Sequence, residues 1–234
     1  MQQTFFSFLG VDAASGRRPF TFVALDPNRR LQVVGGGDAV DVLSFAAGQN
    51  DALIALSPPW KGGKPGDGST APLPVCRLGS LRQPSLLGEN TAPACPPWMR
   101  ETLDLLARLQ EMGFQPFPHA DAPRQWLETP AETGFRALLS VPPFEPGILE
   151  GRIQRQLILE DLELDVPDAM DFFEEVTRFR LLHSQLPYER VLPQPELNAW
   201  MAAAAAWYAV HEPARVLAAG SPADGLVYHL RPKD

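Results

Sequence analysis

Three short, mostly apolar and β-rich runs open the chain, at 5–13, 20–26 and 31–35. Each is rich in Phe, Val and Leu, as strands are. The segments between them, Ser15-Gly16-Arg17-Arg18 and Asp26-Pro27-Asn28-Arg29, are short and carry turn residues. Short turns join antiparallel neighbours, so the pattern predicts three antiparallel strands. Gly35-Gly36-Gly37 then breaks the run, and Asp38 stands where an N-cap belongs, ahead of Val40, Val42, Leu43 and Phe45 at helical spacing. The continuous apolar run Ala52-Leu53-Ile54-Ala55-Leu56 follows a helix and reads as a buried parallel strand.

Beyond it the periodicity stops. Residues 57–97 carry Pro, Gly and Ser throughout and read as a long insertion over the strand ends. Helical spacing returns over 98–112, with Leu103, Leu106, Leu109 and Met112 on one side and Gly113 as the stop. Short strands are expected at 114–117 and at 125–127, the second ending at Glu128, followed by a helix over about 130–139. The spacing then predicts two long helices, 147–164 and 168–186, as a helical addition (147–186). A last helix over 195–211 carries the small-residue run 201–206, and 225–230 reads as a closing strand. Acidic residues open 168–186 and Arg178, Arg180 and His183 close it, as the helix dipole favours. There is no internal repeat. The order predicts one α/β domain over 1–234, with sites expected at the C-terminal ends of the parallel strands.

The chain has 234 residues and a formal net charge of -8, which opposes indiscriminate binding to nucleic acid or to an anionic membrane. Its longest apolar stretch, Trp200 to Val210, is short of the roughly 20 residues that span a bilayer. No basic leader with a small-residue cleavage site is seen, so a cytoplasmic protein without a membrane partner is expected. The two cysteines, Cys76 and Cys95, lack metal-ligand spacing and read as reduced thiols.

Candidate chemistry begins at Gly10-Val11-Asp12, where an apolar strand ends on a carboxylate. With Ala13-Ala14, with Ala52-Leu53-Ile54-Ala55-Leu56, with Leu127-Glu128-Thr129-Pro130-Ala131 and with Leu197-Asn198-Ala199-Trp200-Met201-Ala202-Ala203, this order resembles the ribonuclease H-like superfamily. More narrowly it is similar to the predicted nucleases called domain of unknown function 429. The resemblance implies a mixed sheet of three antiparallel and then parallel strands, flanked by helices. It also implies phosphodiester hydrolysis assisted by Mg²⁺ or Mn²⁺ held on carboxylates, with nucleic acid or another phosphodiester as substrate. Asp12 and Glu128 match two of the acids and would be both catalytic groups and metal ligands. Where the family pattern has two further acids, this chain has Ser57, followed by Pro58-Pro59, and Asn198. Both would ligate only as neutral oxygens. Glu196 lies about 200° around the helix from Asn198 and does not replace it. A second expectation is therefore a catalytically inactive binding or assembly protein on the same scaffold.

Other constellations are weaker. Arg152 and Arg155, with Arg178, Arg180 and His183, would form a phosphate-contacting strip if they are not simply a solvated face. Gly66-Asp67-Gly68-Ser69-Thr70 resembles the phosphate loop of actin-like ATPases, a third reading, although a Pro- and Gly-rich turn accounts for it. Gly35-Gly36-Gly37 would cradle an anion or simply turn the chain into the helix. His119 and Asp121 have the spacing of a base and its orienter, or of a surface loop. Trp60, Trp98, Trp126, Trp200 and Trp207 read as core and loop anchors.

Overall fold

A computed structural model describes residues 5–13, 19–58, 97–139, 141–221 and 225–232, without the side chains of 97–99, 221 and 225. The Gly66–Thr70 loop, Cys76, Cys95, Trp60 and nearly all of the expected insertion lie outside the described residues.

The first three strands are β1 (Ser7–Ala13), β2 (Phe20–Leu25) and β3 (Leu31–Gly37). β1 pairs antiparallel with β2, and β2 with β3. The triglycine is therefore neither turn nor cradle but the end of β3, paired in register with Phe22, Thr21 and Phe20. Gly35 is needed there: a Cβ would lie 2.4 Å from Cζ of Phe22, whose ring covers the strand. Asp38 caps helix α1 (Ala39–Ala47), accepting from the Val40 amide, while Asp41 reaches back to the Asp38 amide in a capping box.

β4 (Ala52–Ser57) returns parallel to β1, and β6 (Arg124–Glu128) lies parallel to β4. Between them run α2 (Pro97–Glu111) and the two-residue β5 (Gln115–Pro116), which pairs with β6. Gly113, at φ +90, ends that segment as expected. After α3 (Ala131–Leu138), α4 (Leu149–Asp161) and α7 (Gln194–His211), the hairpin of β7 (Val216–Ser221) and β8 (Gly225–Leu230) closes the sheet. The spatial order is β3-β2-β1-β4-β6-β8-β7, with β5 also on β6. This is a mixed α/β sheet, antiparallel and then parallel, flanked by helices and followed by further helices, the layout expected of a ribonuclease H-like chain. β7 is an addition to the expected order; its Ala218-Ala219-Gly220 centre hides it from a search for branched and aromatic runs.

The helix expected over 168–186 is broken. Only α5 (Asp171–Glu174) and α6 (Arg178–Leu182) form, followed by a 3₁₀ turn at Tyr188–Arg190. No Pro or Gly causes the break. Thr177 leaves the helical region and its hydroxyl accepts from the Arg180 amide, starting a second helix in place of continuing the first. Arg180 and Arg190 then tie the pieces together through Glu175.

Strand pleating sorts the core into two layers. Phe8, Val23, Leu25, Leu53, Ala55 and Leu127 pack with α3, α4 and α7 on one face. Leu9, Val11, Phe20, Phe22, Ile54, Leu56 and Trp126 pack with α1 and α2 on the other. Successive side chains of a strand point to opposite faces, and that alternation positions everything at the candidate site.

Candidate functional site

The C-terminal ends of β1, β4 and β6 bring the family-like positions to one end of the sheet. Asp12 and Ser57 are Cα partners on adjacent parallel strands, and Leu56 is the partner of Glu128. Asp12 lies in the pleat series of Phe8 and Gly10, facing α7. Asn198, near the start of α7, donates its amide N–H to Asp12 Oδ1 at 3.0 Å. α7 comes this close because its inward face is Ala199, Ala202 and Ala203, all fully buried, set against Gly10.

Asp12 is 3% exposed. Burial raises its carboxyl to about 7, and the Asn198 hydrogen bond only partly offsets this. No cation among the described residues forms an ion pair with it. Ser57 faces the same side, and its hydroxyl accepts from the Ala131 amide at 3.1 Å, closing the first turn of α3. Asn198 Oδ1 is buried and has no hydrogen-bond partner among the described residues.

Glu128 is differently placed. It follows Leu127, which packs with α3 and α7, and is in register with Leu56, which packs with α1 and α2. The row Val11–Leu56–Glu128–Val227 thus lies on one face of the sheet, and the pair Asp12–Ser57 on the other. Glu128 is also two strands from Asp12, about 10 Å between Cα atoms at ordinary strand spacing. The structure brings Asp12, Ser57 and Asn198 together and sends Glu128 to the opposite side.

This donor set does not fit a catalytic pair of Mg²⁺ or Mn²⁺ ions. Such ions need several oxygen ligands, with carboxylates supplying the charge. Among Asp12, Ser57 and Asn198 only Asp12 is a carboxylate, and the buried Glu132 of α3 is committed to Arg155. Asn198 turns its N–H, not its oxygen, toward that carboxylate, and the Ser57 hydroxyl is engaged by a backbone amide. Among the described residues no cluster of three or more His, Cys, Asp or Glu could hold a metal ion.

The expected phosphate-contacting arginines are corrected by the structure. Arg155 is fully buried and makes a bidentate ion pair with Glu132, at 2.7 and 2.9 Å from Nη2. It also donates to the carbonyls of Phe144 and Gly151 at 3.1 and 2.8 Å. Arg152 donates to the carbonyls of Val191 and Leu192. Both therefore clamp the helical addition onto the domain. Arg180 is paired with Glu175 and Glu189, and His183 Nδ1 lies 2.8 Å from the Phe179 carbonyl.

His119 and Asp121 do not form a base and its orienter either. His119 Nδ1 accepts from the main-chain amides of Asp121 and Ala122, so the ring braces its own loop. Gln125 holds the same loop from beneath, donating to the carbonyls of His119 and Ala122.

Two polar contacts near this end of the sheet were not evident in the sequence. Glu132 stands in the first turn of α3 and is buried with Arg155. His229 Nδ1 lies 3.0 Å from Thr133 Oγ1. Because the hydroxyl donates to the Pro130 carbonyl at 2.7 Å, His229 must donate to it through Nδ1. Burial lowers the His229 pKa and favours that neutral form. The only hint is a polar residue between Tyr228 and Leu230.

Among the described residues no helix is long and apolar enough to cross a membrane. Comparisons with protein-family models, with curated proteins and with solved structures find no match to this chain.

Proposed function

We infer that this protein is a ribonuclease H-like scaffold that works by binding or assembly and does not cleave phosphodiesters. One observation carries the reading: strand register sends Asp12 and Glu128 to opposite faces of the sheet, so two acids that would have to share an ion do not converge. The chemistry around each residue supports it. Asp12 is sealed under α7 with one amide N–H on its carboxyl oxygen, and burial favours its neutral form. The arginines that would hold a phosphate are used inside the fold. A net charge of -8 favours protein partners over nucleic acid.

The test is incubation of the full chain with single- and double-stranded DNA and RNA in Mg²⁺ and in Mn²⁺. The reading predicts no cleavage above that of the Asp12→Asn/Glu128→Gln double variant. Cleavage by the wild type that Glu128→Gln abolishes would overturn it.

A further inference from the structure

Ahead of α4 runs Val141-Pro142-Pro143-Phe144-Glu145-Pro146, which belongs to no helix or strand. Proline fixes φ at 142, 143 and 146. The residue before a proline is kept out of the helical region, which restricts Val141, Pro142 and Glu145. Every residue of the run except Phe144 is therefore confined by sequence, and the fold holds Phe144. Its N–H donates to Gln154 Oε1 at 2.9 Å, and its carbonyl accepts from the buried Arg155 at 3.1 Å. Gly151 lets the next carbonyl in: a Cβ there would lie 1.9 Å from the Glu145 oxygen.

Exposure along the run repeats every three residues. Val141 and Phe144 are 58% and 56% exposed, Pro142 and Glu145 are exposed, and Pro143 and Pro146 are half-buried. Three residues per turn is the repeat of polyproline II, whereas a strand alternates every two. In that helix Pro143 and Pro146 form the edge that rests on the domain. Two edges are turned outward, an apolar one of Val141 and Phe144 and a second of Pro142 and Glu145. Phe144 spends both main-chain groups on α4, which leaves its ring to face solvent. Glu145 makes no ion pair among the described residues. A preformed polyproline helix has little backbone entropy left to lose on binding, which is why such runs serve as ligands.

We propose that Val141–Pro146 is a docking segment, read by a partner protein whose groove is lined with aromatic rings and carries a cation for Glu145. The segment itself selects this partner: aromatic rings pack on proline rings and on the Val141–Phe144 edge, and the unpaired carboxylate calls for a positive charge. A second copy would set carboxylate against carboxylate, and nucleic acid or an anionic membrane would repel it. The inference goes beyond the binding reading above and uses neither Asp12 nor Glu128. Nuclease activity would overturn that reading and leave this one standing.

The probes are an isotope-labelled WW domain and an isotope-labelled EVH1 domain, whose aromatic grooves read polyproline II. Titrated with the full chain, at least one should show resonance shifts at its groove aromatics that fit one-to-one binding. Phe144→Ser should weaken that binding about tenfold or more, as loss of an aromatic anchor does. Pro142→Gly should weaken it about fivefold by loosening the backbone. Glu145→Lys should also weaken it and abolish its salt dependence. All three side chains are exposed, so each variant should keep a melting temperature close to that of the wild type, which separates lost binding from lost folding. Absence of groove shifts in both domains, or binding that survives both Phe144→Ser and Pro142→Gly, would overturn the proposal. So would a wild-type dimer in sedimentation velocity that Phe144→Ser dissolves, since the segment would then serve a second copy.

Discussion

Replacing Arg155 by methionine is expected to destabilise the protein by about 3–5 kcal/mol, measured by urea unfolding at neutral pH. The guanidinium is fully buried and spends its donors on Glu132, Phe144 and Gly151. Removing it strands the Glu132 carboxylate at 4% exposure, with only Arg136 nearby at 3.4 Å. A buried ion pair contributes little net stability, because desolvation offsets its attraction, but half of one is costly. The double variant Arg155→Met/Glu132→Met should therefore recover much of the loss. If each single change cost below about 1 kcal/mol, Arg155 would be a surface cation after all and open to a ligand phosphate.

Gly10→Ala should cost about 3 kcal/mol or more and lower the melting temperature by roughly 10 °C. A Cβ at Gly10 would stand 2.0 Å from the Ala199 carbonyl oxygen and 2.3 Å from the Ala203 amide nitrogen. Both are backbone atoms of α7, so no side chain can move aside, and the helix must lift from β1. That lift would also stretch the Asp12–Asn198 hydrogen bond, which sits on the same helix just N-terminal of the contact. A variant that keeps the wild-type melting temperature would mean that α7 does not press on β1 as described.

These two positions also mark what the sequence discloses. The alanine run of 202–206 marks a helix that can approach a neighbour closely, but nothing in the sequence names Gly10 as what it meets. The strand order apart from β7 was legible, because apolar runs of strand length alternate with helical spacing and with turns. The face on which each side chain lands was not. Asp12 and Glu128 each follow an apolar strand, and on paper they converge. Which way Glu128 points depends on a one-residue phase between β4 and β6, and a strand turns its side chains over at every step. Arg155 misled for a related reason. Its spacing from Arg152 fits a solvated face, but its partner is Glu132, 23 residues away, and no local pattern announces a long-range ion pair. The break at Thr177 depends on a hydroxyl competing with the backbone, which hydrophobic periodicity does not register.

The central claim is that Asp12 is a buried structural carboxyl, held by its proton and by Asn198, and not a ligand for a cation. Its pKa in the folded protein is raised to about 7 from 3.8. The folded state thus holds the proton more tightly than the unfolded chain does. The resulting stabilisation is complete below pH 3.8 and is lost as pH rises through about 7. The most direct measurement is the unfolding free energy of the wild type and of Asp12→Asn at pH 5 and pH 8, with and without Mn²⁺. Between those pH values the wild type should lose about 2–3 kcal/mol relative to the variant, and Mn²⁺ should change neither protein. A wild type that Mn²⁺ stabilises at pH 8, beside a variant that it does not, would contradict the account.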